Sequence, residues 1–239
     1  MIINTAAIVI HSIRYGDSDL IVSLFTKSSG LKSYLLKGIL KSKKGKIRSS
    51  LFQPLTLLEI EANHRNNDTL ERLREAKILL PYATLQTDVV KSSLVFFISE
   101  ILKNSIKEEE ANESLFEYVT TALLWLDTNE NISNFHISFL IKLTQYLGFY
   151  PDLSKISCRY FNLQEGCFQS NNSNLYCIEG ENITLLKGFL GTTFEASMDI
   201  RTTRNVRNSI LTILLVYFEL HLHGFKKPKS LSVLTEIFD

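Results

Sequence analysis

The stretch KGILKSKKGKIR, residues 37–48, places six cations (Lys37, Lys41, Lys43, Lys44, Lys46 and Arg48) within twelve positions. Residues 20–58 carry eight positive charges and no acid, the flanking carboxylates being Asp19 and Glu59. Such a run has three readings: a catalytic phosphate loop, a surface for a polyanion, or a solvated loop. A nucleotide-binding loop needs G-x-x-x-x-G-K-[ST], because backbone amides wrap the phosphates and the hydroxyl holds magnesium. Gly45-Lys46 supplies the central pair, but Leu40 stands at the first glycine position and Ile47 at the hydroxyl. Polyanion binding needs no fixed spacing. Clustered Lys and Arg release counterions from a phosphate backbone and gain affinity with each contact. The acid-free stretch favours that reading.

Single strands also need flat side chains on which bases stack. Alternation along LKSYLLKG (31–38) puts Lys32 and Tyr34 on one face, which makes both candidates for nucleic-acid contact, with Tyr34 equally open to a core role. Tyr15, Phe25 and Phe52 lie at neighbouring strand ends, and the two phenylalanines are read as core. Metal chemistry finds little footing. His11, His64 and His136 are scattered, while His221 and His223 diverge by roughly 200° on a helix. Zinc knuckles use paired C-x-x-C ligands. Here Cys158 and Cys177 are followed three residues on by Phe161 and Gly180, leaving Cys167 as a third sulfur without a fourth. The cysteines are read as small buried hydrophobes. Neither G-x-S-x-G nor H-E-x-x-H occurs, and the acidic run in 108–113 reads as a solvated loop. No enzyme, cofactor or metal is expected.

The chain has 239 residues and a net charge of +1 that conceals its layout. Residues 1–80 hold 13 Lys/Arg against 7 Asp/Glu, residues 81–150 hold 4 against 9, and residues 151–239 balance at 9 each. A basic first part beside an acidic middle assigns the polyanion to the first part. The opening MIINTAAIVIHSIRY lacks the basic region of a signal peptide. The longest apolar run, 210–218, is too short to span a membrane. Three cysteines do not make a disulfide framework. A reduced, cytoplasmic protein is expected.

Residues 1–80 read as short strands (6–13, 20–26, 31–38 and 54–62) separated by turns, with the basic loop as the long connection. TLERLREAKIL (69–79) is ambiguous: its propensity is helical, its position suits a fifth strand. Five strands with one long basic connection predict a closed barrel of the OB type. After Pro81 the period becomes helical. Thr87-Asp88 can cap a helix over 89–106, and further helices are predicted at 114–127, 134–150, 204–224 and 232–238. The expected class is α+β: an OB barrel over 1–80, then a helical domain over 81–239 with a loop-rich insert at 152–185.

Several segments in this order resemble the RecO family of recombination mediators: AIVIHSIRYGDSDLIVSLFTKSSGLKSYLLKG, the continuation SKKGKIRSSLFQPLTLLEIE, LGFYPDL (147–153) and GFKKPKSLSVLTEIF (224–238). The resemblance implies an N-terminal OB barrel and a helical domain carrying a zinc-finger-like insert. It implies a non-catalytic protein that binds single- and double-stranded DNA and anneals complementary strands. It also implies work with RecR to help RecA replace single-strand-binding protein, whose acidic, Phe-ended tail docks in the helical domain. The six loop cations match the family's DNA-contacting surface. The insert departs from the pattern at Phe161 and Gly180, so it is expected to have lost its ligands and to rest on packing around Tyr160, Phe161, Leu163 and Phe168. A tail pocket needs an apolar hole rimmed by a cation. Lys142 is one candidate; Arg201, Arg204 and Arg207 form another rim, which could instead face DNA. An RNA-binding OB protein and a protein-interaction adaptor stand as alternatives.

Overall fold

Period-2 runs of apolar residues become five strands: β1 (Ile2–Tyr15), β2 (Asp19–Thr26), β3 (Gly30–Leu36), β4 (Leu57–Asn63) and β5 (Arg72–Ile78). The computed structural model describes residues 1–42, 47–64, 70–107 and 110–237. The strands form one antiparallel sheet in the order β3-β2-β1-β4-β5. Its two edges then meet through a parallel bridge between Tyr34 and Glu71. The Glu71 N–H donates to the Ser33 carbonyl at 2.8 Å and the Leu35 N–H to the Glu71 carbonyl at 3.3 Å. Closure pairs both edges, which gives the OB-type barrel. It also settles the ambiguous fifth segment as a strand, since pairing with both β4 and β3 outweighs helical propensity.

Ala7, Val9, Val22, Leu24, Tyr34, Leu58, Ile60 and Ala62 point inward, each at most 1% exposed. Outside the barrel lie α1 (Val89–Ser105), capped by the Asp88 carboxylate accepting from the Lys91 N–H at 2.9 Å, and α2 (Glu113–Thr128). The Ser99 hydroxyl of α1 donates to the Ile10 carbonyl at 2.7 Å, and Phe116 of α2 meets Phe25 at 5.8 Å between ring centres. The first compact unit therefore runs from Met1 to Thr128. The change at residue 80 marks the switch from strand to helix, while packing keeps α1 and α2 with the barrel.

The second unit, Asn129–Asp239, contains α3 (Phe135–Tyr146), a small sheet of β6 (Tyr160–Asn162), β7 (Cys167–Gln169) and β8 (Cys177–Ile178), then α4 (Glu181–Phe189), α5 (Phe194–Met198), α6 (Arg204–His221) and α7 (Leu231–Ile237). Helical spacing on α6 buries Ile210, Leu211, Leu214, Leu215 and Phe218. Among the described residues no helix is long and apolar enough to cross a membrane.

Candidate nucleic-acid interface

The basic loop begins where β3 ends, and a hydrogen-bonded clamp fixes that start. Gly38 adopts φ +67°, which a side chain would strain, and its N–H donates to Asp19 Oδ1 at 2.8 Å. The Ser18 hydroxyl donates to the same oxygen at 2.7 Å, and the Leu40 N–H reaches the Ser18 carbonyl at 2.9 Å. The Lys41 and Ser42 N–H groups close the turn on the Gly38 carbonyl. The Gly38 N–H, then the Ser18 hydroxyl and the charges of Lys37 and Lys41, hold the Asp19 carboxyl below the usual carboxylate range. One acid thus sits against a stretch that is acid-free in sequence, acting as the clamp's acceptor.

Lys37, Lys41 and Arg48 are exposed. Arg48 precedes the 3-10 turn Ser49–Phe52, and the Ser12 hydroxyl donates to the Phe52 carbonyl at 3.1 Å, so the returning chain is pinned to β1. Lys43, Lys44 and Lys46 lie outside the described residues.

Two candidates on β3 are corrected. Tyr34 and Lys32 do share a face, but it is the inner one. Tyr34 is 0% exposed, with its hydroxyl 2.7 Å from His64 Nε2, so its ring fills the core and cannot stack on bases. Lys32 is half-buried near Met1 and His64, five residues and roughly 16 Å of strand from Lys37. It belongs to the far end of the barrel. Phe25 and Phe52 are core, at 1% and 2% exposure.

The sequence reading missed Arg72 and Arg74, both exposed on β5. The β4–β5 register slips between Glu61 and Ala62, leaving Arg74 as the extra residue of a bulge that re-aims its side chain. Arg74 borders a cleft together with Lys37, Ser42 and Leu73, and pairs with Glu61 at 3.3 Å in an exposed contact of little energetic weight. Reading TLERLREAKIL as a strand would have placed Arg72 and Arg74 on one face. Beyond Arg74 the outer side of β4 and β5 turns acidic, with Glu59 (paired to Lys77 at 2.8 Å), Glu61 and Glu75. Lys27 is also withdrawn from any phosphate track, held by Glu113 and Glu117 at 2.7 and 3.0 Å.

In the second unit, Arg207 of the arginine rim is half-buried and engaged within the fold. The Arg207 Nε donates to Asn134 Oδ1 at 3.1 Å, and Asn134 in turn donates to the Ser197 and Ile200 carbonyls at 2.9 Å. Arg207 therefore anchors the start of α3, while Lys142 is exposed eight residues farther on, roughly 12 Å of helix rise. Arg204 and Arg201 are exposed, and Arg204 donates to the Thr235 carbonyl at 3.3 Å.

The insert does not fit a zinc site. Among the described residues no three His, Cys, Asp or Glu side chains converge as metal ligands. The Cys158 sulfur lies 3.5 Å from the Ser170 hydroxyl, while the Cys177 sulfur accepts from Gln169 Nε2 at 3.2 Å. All three thiols are half-buried rather than enclosed as small hydrophobes. Phe161, standing at a knuckle position, is 1% exposed and packs on Phe168 at 4.8 Å and Tyr217 at 5.8 Å. Leu163 is buried with them, whereas Tyr160 is half-buried beneath Arg159. The Asn162 amide links Gln169 and Ser173, and its carbonyl oxygen accepts the Gln164 and Glu165 N–H groups. A packed aromatic centre with a polar knot needs no metal. Excess EDTA or equimolar zinc is therefore expected to leave the thermal midpoint within about 1 °C, well below the response to a ligand bound at 100 times its Kd; a rise of several degrees with zinc would contradict this.

Comparison with known proteins matches both halves of the chain. The family model described as recombination protein O N terminal covers residues 1–82, and that described as recombination protein O C terminal covers residues 86–231. DNA repair protein RecO of Christiangramia forsetii is 51% identical over 238 residues, and that of Flavobacterium johnsoniae 46% over 238 residues, each covering 100% of both chains. DNA repair protein RecO of Bacteroides fragilis is 37% identical over 243 residues, again covering 100% of both.

Proposed function

The chain belongs to the RecO family of DNA repair proteins, and on that premise we propose that it is a non-catalytic mediator holding DNA by its backbone on the basic end of the barrel. It binds single and double strands and brings complementary strands together for annealing. With RecR it helps RecA onto DNA coated with single-strand-binding protein, whose tail docks in the second unit at a basic rim that includes Arg204. It works in the cytoplasm, at the nucleoid, without a cofactor.

The observation that carries the reading is the clamped loop. Lys37, Lys41 and Arg48 are exposed about the ends of one connection that also holds Lys43, Lys44 and Lys46. An array of ammonium groups follows a phosphate backbone without reading sequence. The outer side of β4 and β5, where Glu59 and Glu61 pair with Lys77 and Arg74 beside Glu75, offers phosphates no net positive charge, which leaves the loop side as the favoured track.

Side-by-side titration of matched DNA and RNA strands at two salt concentrations tests it. The expected result is DNA binding at micromolar or tighter affinity that weakens steeply with salt. Preference for RNA favours an RNA-binding barrel. Negligible affinity for either strand favours an adaptor whose lysines serve solubility alone.

A further inference from the structure

Directly opposed residues on antiparallel strands share a face, so the register of β1, β2 and β3 can be read as rows across the outside of the barrel. The first row is Ile8–Phe25, buried at 0% and 1%. Next come His11, Ser23 and Ser33, the two serine hydroxyls lying 3.2 Å apart. The third row is Ile13–Ile21–Leu35, and Tyr15 opposite Asp19 ends the face. Exposure climbs along this sequence to 46% at Ile13 and 57% at Tyr15. The helices therefore cover the first row, and α1 reaches His11 of the second through Glu100 and Lys103, leaving the apolar third row with its aromatic rim open.

Cations border that open row on its β3 side. Asp19, at its rim, is clamped to Gly38 beside Lys37 and Lys41. On the same side Leu35 runs into the cleft of about 260 Å³ bordered by Lys37 and Arg74. An apolar strip with cations along its β3 side complements a nucleic-acid strand whose bases turn inward to the strip and whose phosphates run along that side. A duplex hides its bases, whereas a single strand presents them unpaired. We infer that Ile13, Tyr15, Ile21 and Leu35 form a base-seating ledge, and that this ledge makes the barrel favour single-stranded over duplex DNA. The inference rests on the DNA-binding reading and adds the part of the ligand that is recognised.

The test compares a 15-nucleotide oligothymidylate with an abasic deoxyribose-phosphate strand of the same length. Both carry the same charge, so the ratio of their affinities isolates the bases. Stacking of even one base predicts a preference of about tenfold for the base-bearing strand. Ile13→Ala with Tyr15→Ala, both at exposed positions, should bring the ratio close to one while leaving the abasic strand's affinity and the thermal midpoint unchanged. Lys43→Ala with Lys44→Ala and Lys46→Ala should weaken both strands together and keep the ratio. A ratio near one in the unaltered protein, or an unchanged ratio in the Ile13/Tyr15 variant, overturns the ledge but leaves backbone binding standing. Failure to bind either strand overturns the DNA-binding reading and the ledge with it.

Discussion

Asp127→Ala is expected to destabilise the protein by about 4 kcal/mol in urea unfolding, with the thermal midpoint about 10 °C lower. The side chain is 8% exposed at the end of α2 and receives the N–H groups of Ala83 at 2.8 Å, Thr84 at 2.7 Å and Leu85 at 3.0 Å. Its own carbonyl accepts from the Thr84 hydroxyl at 2.7 Å and the Lys91 ammonium at 2.9 Å. The passage from barrel to α1 thus hangs on one carboxylate. Removing it orphans three donors, each costing roughly 1–3 kcal/mol before water returns to some of them. Burial works to raise this carboxyl's pKa, but the Ala83, Thr84 and Leu85 N–H groups outweigh it and hold it below the ordinary value. Its contribution is therefore full above the unfolded carboxyl's pKa of about 3.9 and fades as pH falls through the lower folded value. Asp127→Ala should accordingly differ most from the unaltered protein near neutral pH and least near pH 2. A loss under about 1 kcal/mol at pH 7 would show that the strap is held elsewhere.

Tyr34 should prove a residue of stability and not of binding. Tyr34→Ala removes the largest fully buried side chain of the barrel and should cost about 3–5 kcal/mol. Tyr34→Phe keeps the ring and orphans only His64 Nε2, at about 1–2 kcal/mol. The folded Tyr34→Phe protein should bind single-stranded DNA within about twofold of the unaltered one, because the ring never meets the ligand. A tenfold loss in that variant, still folded at the assay temperature, would return Tyr34 to the interface.

These two residues mark where the sequence was legible and where it was not. The cation cluster, the Asp88 cap and the long helices rest on local spacing, and local spacing is visible in a chain. Alternation also placed Lys32 and Tyr34 on a common face. Which face is inward was decided by closure of β3 onto β5, a pairing between residues 34 and 71 that no local pattern announces. The same closure turned a helix-prone segment into a strand whose bulge re-aims Arg74. Asp19 lies far from the lysines in sequence and against Gly38 in space. In the second unit, β6, β7 and β8 are two or three residues long; such pieces exist through their pairings, so 152–185 read as irregular. The helices α4 and α5, of nine and five residues, are likewise too short to carry a period.

The salt dependence of single-stranded DNA affinity tests the central claim most directly. With about five phosphates contacted, log K should fall with log salt at a slope of roughly −3.5. Lys43→Ala with Lys44→Ala and Lys46→Ala removes three cations and should bring the slope to roughly −1.4. A flat response in the unaltered protein, or the same slope in the triple variant, would contradict the assignment of the backbone to this end of the barrel.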